Sequence, residues 1–113
     1  MYLCLMLPFP PSANNLFAGK SRRYVSRAYR EWRTEAGWAL KRQKIARFPG
    51  PVSVAYTFGR PDKRRRDLGN LEKAVSDLLV DHAIIADDSM IERLVLAWDG
   101  EVVGCRVELE GPS

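Results

Sequence analysis

Apolar and polar residues alternate along several stretches of this chain, which is the pattern of a half-buried strand. The clearest case is 52–58, where Val52, Val54, Tyr56 and Phe58 fall on one face. The same reasoning applies near both ends of the chain. The pattern predicts strands at 2–7, 52–58, 90–98 and 102–110.

Two other stretches carry apolar residues at helical spacing. The first begins after Ser26, a good N-cap residue, and ends before the sequence Phe48-Pro49-Gly50-Pro51, which we expect to stop the helix. The second is capped by Asp67 or Asn70 and runs to about Val80. The residues expected to face inward are Tyr29, Trp32, Ala36, Ala39, Leu40 and Ile45 in the first helix, and Leu71, Ala74, Val75 and Leu78 in the second.

The order β-α-β-α-β-β predicts an α+β fold, a small mixed sheet with two helices packed on one face. Residues 1–113 are expected to form a single domain. Residues 8–23 are rich in Pro, Ser, Asn and Gly and are predicted to be a loop, whereas Asp99-Gly100 predicts a hairpin turn between the last two strands. If the second and third strands are parallel neighbours, the second helix forms their crossover.

The excess of basic residues indicates which class of partner the protein binds. The net charge is +4, and ten Lys or Arg residues but only two acids lie between Lys20 and Arg47. A basic balance favours an anionic partner such as nucleic acid.

The apolar start of the chain is short and ends in prolines, which argues against a signal peptide or a membrane span. Cys4 and Cys105 are expected to be buried thiols of a cytoplasmic protein, since no thiol zinc motif is present.

The residues suited to catalysis and to phosphate binding lie between residues 60 and 88. Arg64, Arg65 and Arg66 precede Asp67, Lys73 follows six residues later, and Asp87-Asp88 comes after the second helix. Phosphate is held by positive charge, and hydrolysis of a phosphodiester needs a hard divalent metal bound by carboxylates. The combination indicates a metal-dependent nuclease.

Each of these residues also has a structural interpretation. Asp67 binds the metal or caps the second helix, and Lys73 stabilises charge on a phosphate or pairs with Asp77 at i+4. Asp87 and Asp88 would point to opposite faces of a regular strand, so only one is expected to reach a metal directly.

Nucleic-acid contacts are expected from the loop before Asp67 and from the proline-rich loop. The cations would grip backbone phosphates without reading sequence. The asparagines of the proline-rich loop either donate hydrogen bonds to DNA or belong to a plain rigid turn. The candidate DNA-binding residues are Asn14, Asn15, Arg60, Lys63, Arg64, Arg65 and Arg66.

Three motifs together resemble the RusA family of Holliday junction resolvases. They are LPFPPSANN at 7–15, RRRDLGNLEKAVSDL at 64–78, and Asp87-Asp88 before a strand. The resemblance runs nearly end to end. It implies a small homodimeric endodeoxyribonuclease, commonly encoded by a phage, that binds four-way DNA junctions and makes paired symmetric nicks in DNA recombination and repair.

The resemblance also implies Mg2+ as cofactor, with Mn2+ able to replace it. It places the catalytic residues at Asp67, Lys73 and Asp88, and metal ligands at Asp67 and Asp88, with Asp87 as a possible substitute.

Gly69 departs from the family pattern, which has a second aspartate at this position. Because each carboxylate offsets the cost of removing water from the ion, its loss predicts weak or absent cleavage. Two alternatives therefore remain: a branched-DNA-binding protein that does not cut, and a basic regulatory or RNA-binding module.

Overall fold

The computed structural model describes residues 1–112 and confirms an α+β fold. The strands and helices are β1 (Tyr2–Leu7), β2 (Phe17–Ala18), β3 (Tyr24–Val25), α1 (Arg27–Lys41), β4 (Val52–Phe58), α2 (Glu72–Asp81), β5 (Ile91–Trp98) and β6 (Cys105–Glu110). The main sheet has the order β1-β6-β4-β5, and β2 and β3 form a separate two-stranded sheet.

The main sheet is mixed because β4 and β5 run parallel, whereas β6 is antiparallel to both β1 and β4. The predicted alternation of 52–58 is confirmed, since all four residues of its apolar face are buried. On α1 and α2 the residues expected to face inward are buried as well, except Ile45. The side chain of Ser26 accepts a hydrogen bond from the Tyr29 amide, which confirms the predicted N-cap of α1.

The predicted hairpin at Asp99-Gly100 is wrong, because β5 and β6 lie on opposite sides of β4. Asp99 does form a turn, and its carbonyl accepts from the Val102 amide at 3.1 Å. The chain then crosses the end of β4 at Gly59, where a Cβ atom would lie only 1.6 Å from the Val102 carbonyl oxygen. A glycine there allows the crossing that places the last strand beside β1.

The first helix ends earlier than its sequence pattern predicts. It stops at Lys41, and Ile45 lies beyond it with 43% of its surface exposed. Gln43 instead binds the edge of β1, where its side chain accepts from the Met6 amide and donates to the Met6 carbonyl, both at 2.8 Å. Phe48 is buried, and its amide donates to the Ile84 carbonyl.

Two smaller predictions also need correction. The segment 8–23 is not a plain loop, because it contains a 3-10 turn at Ala13–Asn15 and the strand β2. Of the two free cysteines only Cys105 is buried, whereas Cys4 is exposed on β1 because it points away from the helices. No helix among residues 1–112 is long and apolar enough to span a membrane.

One buried hydrogen bond joins the sheet to α2. The hydroxyls of Tyr56 and Ser76 lie 2.9 Å apart, and both residues are buried. Burial raises the pKa of Tyr56 well above its ordinary value, so the phenol stays neutral.

We therefore expect Ser76→Ala to destabilise the fold by about 1–3 kcal/mol, because it leaves the Tyr56 hydroxyl buried without a partner. Urea denaturation measures this loss. The matched control is the double variant Tyr56→Phe/Ser76→Ala, which removes both hydroxyls and should be more stable than Ser76→Ala alone. A double variant as unstable as the sum of the two single variants would contradict this role.

Candidate functional site

The loop before Asp67 is held in place by aromatic rings and one acid. Phe9, Phe58 and Trp98 form a cluster with ring centroids 6.1–6.3 Å apart. The guanidinium of Arg60 lies 4.1 Å from the Trp98 ring centroid, and that of Arg66 lies 5.4 Å from the Phe9 ring centroid. Cation–π attraction therefore ties one end of the basic loop (residues 59–66) to β5 and the other end to the proline-rich loop that begins at residue 8.

Asp62, which sequence reasoning missed, organises the cations between those ends. Its carboxylate accepts from both terminal nitrogens of Arg66 and from the Arg64 amide. These bonds, chiefly those from Arg66, hold the pKa of Asp62 far below its ordinary value. Since it lies within a dense run of basic residues, this aspartate also reduces their mutual repulsion. In the sequence, Asp62 stands out as the single acidic residue among the basic residues of 60–66.

The predicted DNA-binding residues therefore differ in how available they are. Arg66 is committed to Asp62 and Phe9, and only 18% of its side chain is exposed. The Nε atom of Arg64 lies 3.4 Å from the same Asp62 carboxylate, but 79% of the Arg64 side chain is exposed. Lys63 and Arg65 make no hydrogen bond or ion pair with any residue in 1–112, so their charges face solvent.

A cavity of about 400 Å3 separates the basic loop from the proline-rich loop. Its lining brings together Asn14, Asn15, the three consecutive arginines and Asp67, as the sequence motifs suggested. It also includes Phe9, Pro10, Pro11, Ser12, Asn70 and Leu71. The remaining predicted DNA-binding residues, Arg60 and Lys63, do not line it.

Asp67 forms the acidic part of this cavity wall. It ends the extended loop, and its side chain accepts from the Gly69 amide at 3.0 Å, so it caps the 3-10 turn Leu68–Leu71 that leads into α2. The capping interpretation holds for this turn but not for α2 itself, whose N-cap residue Leu71 makes no side-chain capping bond. A metal could still bind the remaining lone pairs of the carboxylate.

Gly69 faces the same carboxylate. A Cβ atom built at this position would lie 3.5 Å from Asp67 Oδ1, which is ordinary van der Waals contact. The backbone there does not require a glycine, since its φ is not in the left-handed region. An aspartate would thus fit at position 69 and place a second carboxylate beside Asp67.

Asp87 and Asp88 line a different depression of about 250 Å3, together with Asp77 and Asp81. Asp87 accepts from both the amide and the hydroxyl of Ser89, and these bonds lower its pKa. Asp88 makes no side-chain hydrogen bond within the described part of the chain. Of the adjacent pair, Asp88 is therefore the carboxylate with freer oxygens.

Lys73 lies on the first turn of α2, directly after the turn that Asp67 caps. Its ammonium lies 3.3 Å from Asp77, which confirms the predicted i+4 pair. Asp77 chiefly, and Asp88 more weakly, raise the pKa of Lys73, so the side chain stays charged.

The structure does not assemble the three predicted metal ligands into one cluster. Among residues 1–112, no three His, Cys, Asp or Glu side chains are grouped so that they could hold a metal ion. The turns that carry Asp67 and Asp88 both contact α2. The assignment of Asp67, Asp87 and Asp88 to metal binding stays a prediction.

The model of the family described as "Endodeoxyribonuclease RusA" matches residues 8–110. The chain belongs to the RusA family. A crossover junction endodeoxyribonuclease RusA of Escherichia coli K12 is 32% identical over 89 residues, which cover 77% of this chain and 74% of the relative. A crossover junction endodeoxyribonuclease RusA of Enterobacteria phage 82 is 30% identical over 89 residues, which again cover 77% of this chain and 74% of the relative.

A third RusA relative, from Enterobacteria phage HK97, is 26% identical over 107 residues, covering 93% of this chain and 89% of that protein. The match to RusA therefore includes the whole segment from the proline-rich loop to β6. All of the candidate site residues lie inside it.

The geometry at Asp87 gives a spectroscopic prediction. Because the Ser89 hydroxyl is the main group that lowers the pKa of Asp87, Ser89→Ala should raise that pKa toward its ordinary value. Carboxyl carbon NMR over an acid titration measures the change. Ser89→Thr retains the hydroxyl and should keep the pKa low; an unchanged value in Ser89→Ala would show that Asp87 is not held by Ser89.

Proposed function

We propose that this chain is a Holliday junction resolvase, a structure-selective endodeoxyribonuclease that binds four-way DNA junctions and introduces paired symmetric nicks. The observation that carries the proposal is the position of Asp67, whose carboxylate lies in the wall of the same cavity as three arginines. A metal-binding acid next to phosphate-binding cations is what hydrolysis of a phosphodiester needs. The named activity of the RusA relatives supports the same reaction.

Mg2+, or Mn2+ in its place, would be held by Asp67 and Asp88. Carboxylate oxygens are the donors that Mg2+ prefers, and Mg2+ is often bound by only one or two of them together with substrate phosphates. The donor chemistry therefore fits, although a third ligand is missing at Gly69. When bound, the ion would supply an activated water and polarise the phosphate.

The remaining residues would position the strand and stabilise charge. Arg64 and Arg65 would bind phosphates flanking the cut, because their guanidiniums line the cavity and are exposed. Lys73 would turn from Asp77 toward the DNA and stabilise negative charge on the phosphate or the leaving oxygen. A lysine ammonium is protonated at neutral pH and so carries a positive charge for this task.

We expect cleavage by this chain to be weak, and Gly69→Asp to increase it. The added carboxylate would lie beside Asp67, and loss of a group that supports a metal site commonly costs about 10–100-fold in affinity or activity. A gel assay on a labelled four-way junction, with and without Mn2+, compares the two proteins.

Gly69→Asn is the matched control, since it adds the same volume without the charge and should remain slow. Efficient paired nicking by the unmodified chain would show that Asp67 and Asp88 suffice. No gain from the aspartate would contradict the missing-ligand explanation. Equal affinity for junction and linear duplex would overturn junction selectivity itself.

A second candidate, a junction-binding protein that does not cut, is favoured by the same missing carboxylate. It predicts junction affinity that does not depend on Mg2+ and no nicks at any metal concentration. The basic loop and its aromatic support would serve this function unchanged.

A homodimer fits the task, because a four-way junction presents two strands to be cut symmetrically. The two sheet edges differ in a way that supports this. Gln43 covers part of the β1 edge, whereas β5 forms the opposite edge with Leu94 and Val95 each about 40% exposed. An apolar, uncovered edge strand is a common place for a second chain to pair.

We therefore expect Val95→Lys to shift the protein from dimer to monomer, measured by sedimentation equilibrium at micromolar concentration. Val103→Lys is the control, since Val103 is 88% exposed in the crossing between β5 and β6 and should leave the dimer intact. A strictly monomeric unmodified protein would count against the dimer altogether.

A further inference from the structure

The cavity beside Asp67 has features that phosphate binding does not explain. Its wall includes the apolar residues Phe9, Pro10 and Pro11, of which Phe9 and Pro11 are partly exposed, and a phosphate would find no favourable contact with them. Its volume of about 400 Å3 lies in the range of sites that enclose small organic ligands. A ligand that is partly apolar and flat would suit this part of the wall.

Two amide side chains in the same lining have no partner within residues 1–112. Asn15 donates to the Ser12 hydroxyl, but Asn14 and Asn70 make no side-chain hydrogen bond. An amide offers both a donor and an acceptor, which suits the mixed edge of a nucleobase. A phosphate only accepts, and the nearby arginines already supply donors for it.

We propose that this cavity binds a single unstacked nucleobase from the strand whose phosphate lies at Asp67. The base would lie against Pro11 and the part of Phe9 that Trp98 and Arg66 leave uncovered. Its edge would bind Asn14 and Asn70, and its phosphate would lie at the arginines. Bases at a junction crossover cost less to unstack than bases within a duplex, because their pairing is already strained or open. Reading one base beside the cut would give cleavage a sequence preference. The proposal rests on the proposed junction-binding function.

The test uses junctions with 2-aminopurine placed in turn at each position flanking the crossover, in EDTA so that no strand is cut. Stacking quenches this base, so binding should raise its fluorescence at one position on each of the symmetric strands. An abasic site at that position should weaken binding by at least about fivefold, because contacts to the base are lost.

The double variant Asn14→Ala/Asn70→Ala should lose the fluorescence change and bind intact and abasic junctions equally. Lys63→Ala is the control, because it removes an exposed charge outside the cavity. It should weaken binding of all junctions alike and keep the signal of each bound complex.

Binding without a fluorescence change at any position, or a double variant that keeps the signal and the abasic penalty, would overturn the proposed base pocket. Either result would leave junction binding intact. Equal binding of junction and linear duplex by the unmodified protein would overturn both proposals, so the two failures are distinguishable.

Discussion

The contact between Arg66, Phe9 and Asp62 is the constraint on which the candidate site depends. The segment around it is crowded with like charges, and such a segment left to itself would be extended and mobile. The ring of Phe9, stacked on Trp98 and packed against Phe58, gives the guanidinium a surface, and the carboxylate of Asp62 fixes its orientation. The proline-rich loop and the basic loop are thereby held on opposite sides of one cavity.

The same arrangement separates cations that build the site from cations available to DNA. A positive charge bound to a carboxylate and lying on a ring contributes less to phosphate binding than one facing solvent. The arginine next to Asp67 is therefore chiefly a support. Its neighbour Arg65 makes no ion pair within residues 1–112, and Arg64 remains largely exposed although it also lies close to Asp62. Part of the positive charge of the basic loop is neutralised by Asp62, and this pairing fixes the position of the remaining cations.

The acidic part of the site is less complete than the basic part. Asp67 and Asp88 come from different turns. The Asp67 carboxylate is held by the Gly69 amide, whereas the Asp88 carboxylate makes no hydrogen bond within residues 1–112. The space at Gly69, open toward Asp67, shows where another carboxylate would join them.

The sequence by itself determined the elements whose information is local. Alternation and helical spacing identified all four strands of the main sheet and both helices. The motif around Asp67 supplied one wall of the cavity. Tertiary structure alone decided that β4 lies between β5 and β6, because a turn signal at Asp99 says nothing about which strand the chain reaches next. It also decided that α1 stops at Lys41, where Gln43 binds a strand distant in sequence, and that Asp62 holds Arg66. Those outcomes depend on contacts between segments far apart in the chain, which no local pattern of residues records.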